Sequence, residues 1–269
     1  MPHLQHGRHT LHWQRRGGGA PLLLIQGMAG HHALWGEPLL TALAADFDVV
    51  TFDHRGIGES TDPDERDFTV GDLARDAVAV LDVLGWDTAH VMGISMGGMV
   101  AQELVLSAPE RVRSLVLGCT YCGGSGASLS AVGPLRMLQA MELATRTGDV
   151  DAALRVAFEV NVSAPFAAEA GRYAAFREAS LAVAVPVPVV LRQAKAAFAH
   201  DASARLPQVT APTLVVHGTA DQMLGYDNAA VVAGAIPGAE LHTLDGVGHL
   251  FWWEQPEVTA QLLRAHCLR

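Results

Sequence analysis

Short, continuous apolar runs closed by glycine, aspartate or cysteine recur along the chain: PLLLIQG at 21–27, DVVTFD at 48–53, AHVMGI at 89–94, RSLVLGC at 113–119 and APTLVVHG at 211–218. Runs of this length without polar alternation suit strands buried on both faces. Between them, apolar positions recur every three or four residues over 37–45, 70–84, 97–107, 227–235 and 256–266, which predicts helices. Pro256 fits the first turn of the last one, where its missing N–H costs nothing. Strand alternating with helix predicts an α/β fold, a mostly parallel twisted sheet flanked by helices with right-handed crossovers. Ahead of it, 7–16 alternates and runs into Gly17-Gly18-Gly19, the pattern of an N-terminal strand or hairpin followed by a turn.

The alternation stops between about 123 and 206, where alanine-rich helical segments follow one another without a convincing strand. The chain thus divides into a core domain, 1–122 and 207–269, and a helical insert, 123–206, that would form a lid if placed over the carboxyl ends of the strands. Met137, Met141 and Phe158 in the insert, with Trp35 and Trp252 outside it, are candidate substrate contacts and suggest a ligand with apolar surface. Ordinary packing is the competing explanation for each of them.

At 269 residues, half of them apolar, the chain can bury a large core. The net charge of -10 and the absence of any basic run exclude nucleic acid as a partner, because neutralising phosphates takes clustered cations. The N-terminal MPHLQHGRHT is polar, and no apolar stretch approaches the roughly 18 residues of a membrane span. A cytoplasmic, unanchored protein is expected, with homo-oligomerisation left open. Cys119, Cys122 and Cys267 are too few for a disulfide framework and are expected as reduced thiols. His3, His6, His9, His12 and the His31-His32 pair show no helical ligand spacing such as H-E-x-x-H. They read as surface or loop histidines, with no metal and no cofactor expected.

The strongest chemical signal is Gly93-Ile94-Ser95-Met96-Gly97, between a predicted strand and a predicted helix. G-x-S-x-G in that context is a sharp turn that lifts the serine hydroxyl above the sheet at the positive end of a helix. A serine hydroxyl is a weak nucleophile and needs a base, which in turn needs an orienting group. Asp221 follows the strand VVHG, and His249 lies in a glycine-bearing loop before the final helix. Asp245, only four residues from His249, is a second choice for the acid, and no Asp or Glu occurs within CTYCGGSG after 113–119. An oxyanion needs two backbone donors. Met96, which follows the serine, offers one, and Met28 in Gly27-Met28-Ala29-Gly30 is the candidate for the other.

These motifs, in the order serine, acid, histidine, resemble the α/β-hydrolase superfamily over nearly the whole chain, most weakly in the insert. FDHRGIGES at 52–60 resembles the D-x-R-G-x-G-x-S segment of family members, and GHLFWWEQP at 248–256 resembles the catalytic-histidine segment with its downstream E-x-P. Two departures stand out. Gln26-Gly27 replaces the common His-Gly at the oxyanion loop, and Ser95 differs from the aspartate of epoxide hydrolases and haloalkane dehalogenases. The overall look is similar to enol-lactonases, small carboxylesterases and polyketide methylesterases. C–C bond hydrolases share the Ser-Met-Gly-Gly turn, but their longer glycine-rich oxyanion loop is not matched by GMAGHH. The resemblance implies a serine hydrolase cleaving an ester or lactone of a small molecule through an acyl-enzyme. A C–C bond hydrolase, perhydrolase or acyltransferase with the same triad, or a slow-turnover ligand receptor, remains an alternative because fold does not fix function.

Overall fold

A computed structural model of the chain describes residues 2–124, 126–128 and 132–269; residues 125 and 129–131 of the expected insert lie outside the described residues. The strands are β1 (His3–His6), β2 (His9–Gly17), β3 (Ala20–Ile25), β4 (Phe47–Phe52), β5 (Ala89–Ile94), β6 (Val112–Gly118), β7 (Thr213–Gly218) and β8 (Glu240–Leu244). They form one eight-stranded sheet in the order β1-β2-β4-β3-β5-β6-β7-β8. β1 and β2 form an antiparallel hairpin, β2 pairs antiparallel with β4, and every other neighbouring pair is parallel. The helices are α1 (Glu37–Ala44), α2 (Val70–Val83), α3 (Met96–Ser107), α4 (Val132–Thr147), α5 (Val150–Asn161), α6 (Ala164–Ala167), α7 (Arg172–Leu181), α8 (Val187–Phe198), α9 (Asp227–Ala235), α10 (Phe251–Glu254) and α11 (Pro256–Cys267). The five expected buried strands are all present, and the hairpin starts earlier than the alternation of 7–16 suggested, at His3.

Successive side chains on a strand point to opposite faces. On β3, Leu23 and Ile25 join the core under α2 and α3, while Leu22 and Leu24 join the one under α1 and α11. Val215 and Val216 on β7 divide the same way. A run with no polar alternation is therefore what two covered faces require, each buried side chain contributing about 1.5–3 kcal/mol. α2 is entered through a capping box, Thr69 Oγ1 accepting from Asp72 N and the Asp72 carboxylate from Thr69 N.

Between β6 and β7, α4 to α8 follow one another with no intervening strand among the described residues. Phe158, Val162, Phe166 and Phe176 build a small core of their own, whereas Ala196 and Ala197 on α8 pack into the main one. These helices are fastened to three loops that leave carboxyl ends of strands. Ala29 N donates to Gln193 Oε1 at 2.9 Å, Gly58 N to Ala184 O at 2.9 Å, and Leu250 N to Asn161 O at 2.7 Å. The loop after β4 is itself locked by Arg55, which makes two hydrogen bonds of 2.7 Å to the buried Asp76 on α2.

His12 departs from the expectation of a surface or loop residue, whereas His3 is exposed and His31 lies in a loop. His3, His6, His9 and His12 lie on strands, and His12 and His31 are fully buried. His12 and its neighbour Leu11 are both fully buried on β2, which no single-residue property of the histidine announces. The three cysteines are buried, unbridged thiols. No helix among the described residues is long and apolar enough to cross a membrane.

Candidate active site

β5 ends at Ile94 and α3 begins at Met96, so Ser95 alone makes the turn, with φ 53° and ψ −124°. Non-glycine residues rarely adopt this conformation, and it survives only where its surroundings enforce it. Here they do. A Cβ on Gly97 would lie 2.1 Å from Ile25 O, and one on Gly93 would lie 2.2 Å from Gly97 O, so strand and helix approach through glycine backbone alone. Ser95 N donates to Gly118 O at 2.9 Å, and Ser95 O accepts from Thr120 Oγ1 at 2.7 Å. The turn is thereby tied to the end of β6.

Asp221 lies just beyond β7, fully buried at its side chain. Its Oδ1 accepts from Met223 N at 2.7 Å and Leu224 N at 3.0 Å, which fixes the carboxylate plane. Its Oδ2 accepts from His249 Nδ1 at 2.7 Å and His217 Nε2 at 3.0 Å. Burial opposes its ionisation, but the two imidazoles more than offset that and hold its pKa well below the usual carboxylate range. Asp245, the second choice, instead accepts from Thr219 Oγ1 at 3.1 Å.

His249 is buried in the loop between β8 and α10. Glu254 holds that loop: its Oε1 accepts from Gly248 N and from Ser163 N, each at 2.8 Å, and its Oε2 from Ser163 Oγ. The glutamate of the E-x-P motif thus clamps the histidine loop to the start of α6. Burial lowers the pKa of His249, yet the Asp221 charge, ahead of contact with Cys119, leaves it raised well above the ordinary imidazole value.

Cys119, with φ 38°, occupies the position after β6 and touches both the His249 imidazole and the Ser95 backbone. Burial pushes its thiol pKa up. Among the described residues, the hydrogen-bond partner of the His249 ring is Asp221; Ser95 Oγ is not one. Nucleophile–base hydrogen bonds commonly form only once substrate is bound. The loop after β3 lies against Ser95, since a Cβ on Gly27 would be 3.4 Å from Ser95 Oγ. On that loop Gly27 N donates to Gln26 Oε1, Gly30 N to Gly27 O and Ala29 N to Gln193 Oε1. Met28 N and Met96 N have no acceptor among the described residues, as an oxyanion site requires.

Trp35 and Trp252 sit in the core beneath the sheet with ring centroids 5.5 Å apart, and Phe158 centres the small core of the inserted helices. Packing accounts for the burial of all three. Met137 and Met141 are half-buried on α4. A surface cleft of about 430 Å³, lined by Phe68, Glu103, Lys195 and Arg205 among others, includes none of the residues around Ser95. Sequence reasoning missed Cys119, His217, Gln193 and Glu254 as parts of the site. Only Glu254 carried a signal, its place in the E-x-P motif.

A family model described as the alpha/beta hydrolase fold matches residues 20–256. A protein provisionally named carbamate hydrolase RutD, from Azorhizobium caulinodans, is 30% identical over 99% of this chain and 98% of its own length. Est816, described as an N-acyl homoserine lactone degrading enzyme, is 30% identical with a TM-score of 0.79, covering 98% of this chain and 99% of its own. The enol-lactonase from Burkholderia xenovorans LB400 superposes with a TM-score of 0.84 at 23% identity over the whole of both chains, a likeness of fold. The extent of these matches, joined to the serine turn and the Asp221–His249 pair, shows that this chain is a hydrolase belonging to the α/β-hydrolase family.

Proposed function

We propose that this hydrolase cleaves a carboxylic ester or lactone of a small molecule through an acyl-enzyme on Ser95. Neutral His249 takes the hydroxyl proton as Ser95 Oγ attacks the carbonyl carbon, and Asp221 holds the ring with Nδ1–H toward itself. The N–H groups of Met28 and Met96 receive the oxyanion. His249 then returns the proton to the leaving alkoxide, and a water activated by the same ring releases the acid. The observation that carries this reading is the 2.7 Å His249–Asp221 contact together with a serine held at φ 53° on the strand-to-helix turn. The lactone and carbamate named for the relatives support an ester-like carbonyl as the bond attacked. In this reading α4 to α8 act as a lid over the site, supported by their hydrogen bonds to three strand-end loops. A C–C bond hydrolase, perhydrolase or acyltransferase would use the same groups, and a panel of substrates and acceptors separates them.

One observation favours a second nucleophile, the contact between Cys119 and His249. Against it stand the complete burial of that thiol and its raised pKa, which suppress the reactive thiolate. Ser95→Ala, assayed on lactones, methyl esters and p-nitrophenyl esters, tests the proposal. Turnover is expected to fall about 10³-fold or more with the fold intact, because triad members act as a unit. Unchanged turnover would overturn it.

A further inference from the structure

The N-terminal hairpin brings His3 and His12 directly opposite each other in the β1–β2 register, with ring centroids 5.3 Å apart. Opposed residues of an antiparallel pair project from the same face. Glu59, from the loop after β4, closes the third side. Its Oε2 lies 3.3 Å from His3 Nε2 and 3.7 Å from His12 Nδ1, and one ligand atom from each of the three residues falls within 4.8 Å of the others. A tetrahedral zinc ion with bonds of about 2.1 Å requires ligand atoms about 3.4 Å apart. Two separations are already near that value, and small side-chain rotations supply the third.

A second observation points the same way. His12 is fully buried, and its Nδ1 has no hydrogen-bond partner; Glu59 at 3.7 Å is too far to provide one. The other ring nitrogen is 3.5 Å from Gln14 Nε2. A half-turn of that amide presents its oxygen to Nε2–H, which is how ligating histidines are held while the opposite lone pair faces a metal. The backbone is already in place: His12 N donates to Ser60 Oγ at 2.9 Å, and Asp53 N donates to His12 O at 3.0 Å. A neighbouring group, His12 with His32 and Asp53, competes for His12. Its carboxylate is already engaged by the backbone N–H and ring of His32 at 2.8 and 3.0 Å, so the outer group is the better host.

We propose that His3, His12 and Glu59 bind a divalent transition-metal ion of the zinc class, with water as fourth ligand, pinning the hairpin to the loop after β4. The expectation of no metal site rested on the absence of helical ligand spacing, whereas these ligands are assembled by strand register and a distant loop.

The test uses the full chain, stripped with EDTA and titrated with zinc chloride by calorimetry and with cobalt chloride by absorption. One equivalent is expected to bind, with the visible spectrum of tetrahedral cobalt. At zinc about 100-fold above Kd the melting temperature should rise by about 5–10 °C. His3→Gln and Glu59→Gln, both at partly exposed positions, should each weaken binding about tenfold or more, while His6→Gln retains it. The absence of saturable one-to-one binding would overturn the proposal. So would equal affinity in the His3 and Glu59 variants, or a loss produced by His32→Gln in their place.

Discussion

Removing the Glu254 carboxylate probes the link between the inserted helices and the loop that carries His249. In Glu254→Ala, Gly248 N and Ser163 N lose their acceptor, the Ser163 hydroxyl loses its carboxylate, and both residues are buried. An unsatisfied buried donor costs about 1–3 kcal/mol, so two of them predict a loss of about 3 kcal/mol after relaxation. In a chain of this size that lowers Tm by about 6–12 °C. Gly248 precedes His249, and a misplacement of about 1 Å near the base costs about 10²-fold in kcat. Glu254→Gln sharpens the test, because the amide oxygen can keep both N–H groups while its NH₂ donates to Ser163 Oγ. That variant should stay within about 1 kcal/mol and about threefold of the parent. Urea unfolding with kcat and KM on one ester reads both effects. An alanine variant of unchanged stability would refute the hydrogen-bond account, and a glutamine variant as damaged as the alanine one would show that charge, rather than hydrogen bonding, matters.

In Asp221→Asn, kcat should fall about 10⁴-fold, because the wrong tautomer of His249 is favoured. Asp221 holds the His249 pKa up and in the proposed mechanism the neutral ring is the base, so wild-type kcat/KM should rise with pH through a pKa above the ordinary imidazole value. The residual activity of the variant should titrate at lower pH, and a pH profile unmoved by the substitution would contradict this electrostatic assignment. Cys119→Ala should retain activity within about threefold, since the proposed mechanism gives the buried thiol no step in acyl transfer; a loss matching that of Ser95→Ala would count against it. Gln193→Ala removes the acceptor of Ala29 N and should lower kcat about tenfold with little change in KM, read by steady-state kinetics.

What could be read from the sequence follows from how local each feature is. The serine turn is written in five consecutive residues, because α3 leaves no room for a Cβ at Gly93 and the end of β3 leaves none at Gly97. Asp221 and His249 were legible for a related reason: each follows an apolar run or a glycine-bearing loop that marks the carboxyl end of a strand. The contacts that hold the surrounding loops were not. Gln193 is 164 positions from Ala29, and Ser163 is 91 from Glu254, contacts that exist only once the inserted helices dock. Cys119 reads in the sequence as one of three reduced thiols, yet its neighbour is a histidine 130 positions later, brought there by the loop after β8. Trp35 and Trp252 illustrate the opposite difficulty. An aromatic near a site in sequence reads the same whether it faces substrate or, as here, packs beneath the sheet.

The central claim is that Ser95 Oγ is the atom acylated, and covalent labelling with a fluorophosphonate followed by mass spectrometry of the digested protein tests it most directly. A single phosphonyl group on the peptide carrying Ser95, absent in Ser95→Ala and slowed in His249→Ala, is the predicted result. Labelling at Cys119, or equal labelling of the Ser95→Ala protein, would contradict it.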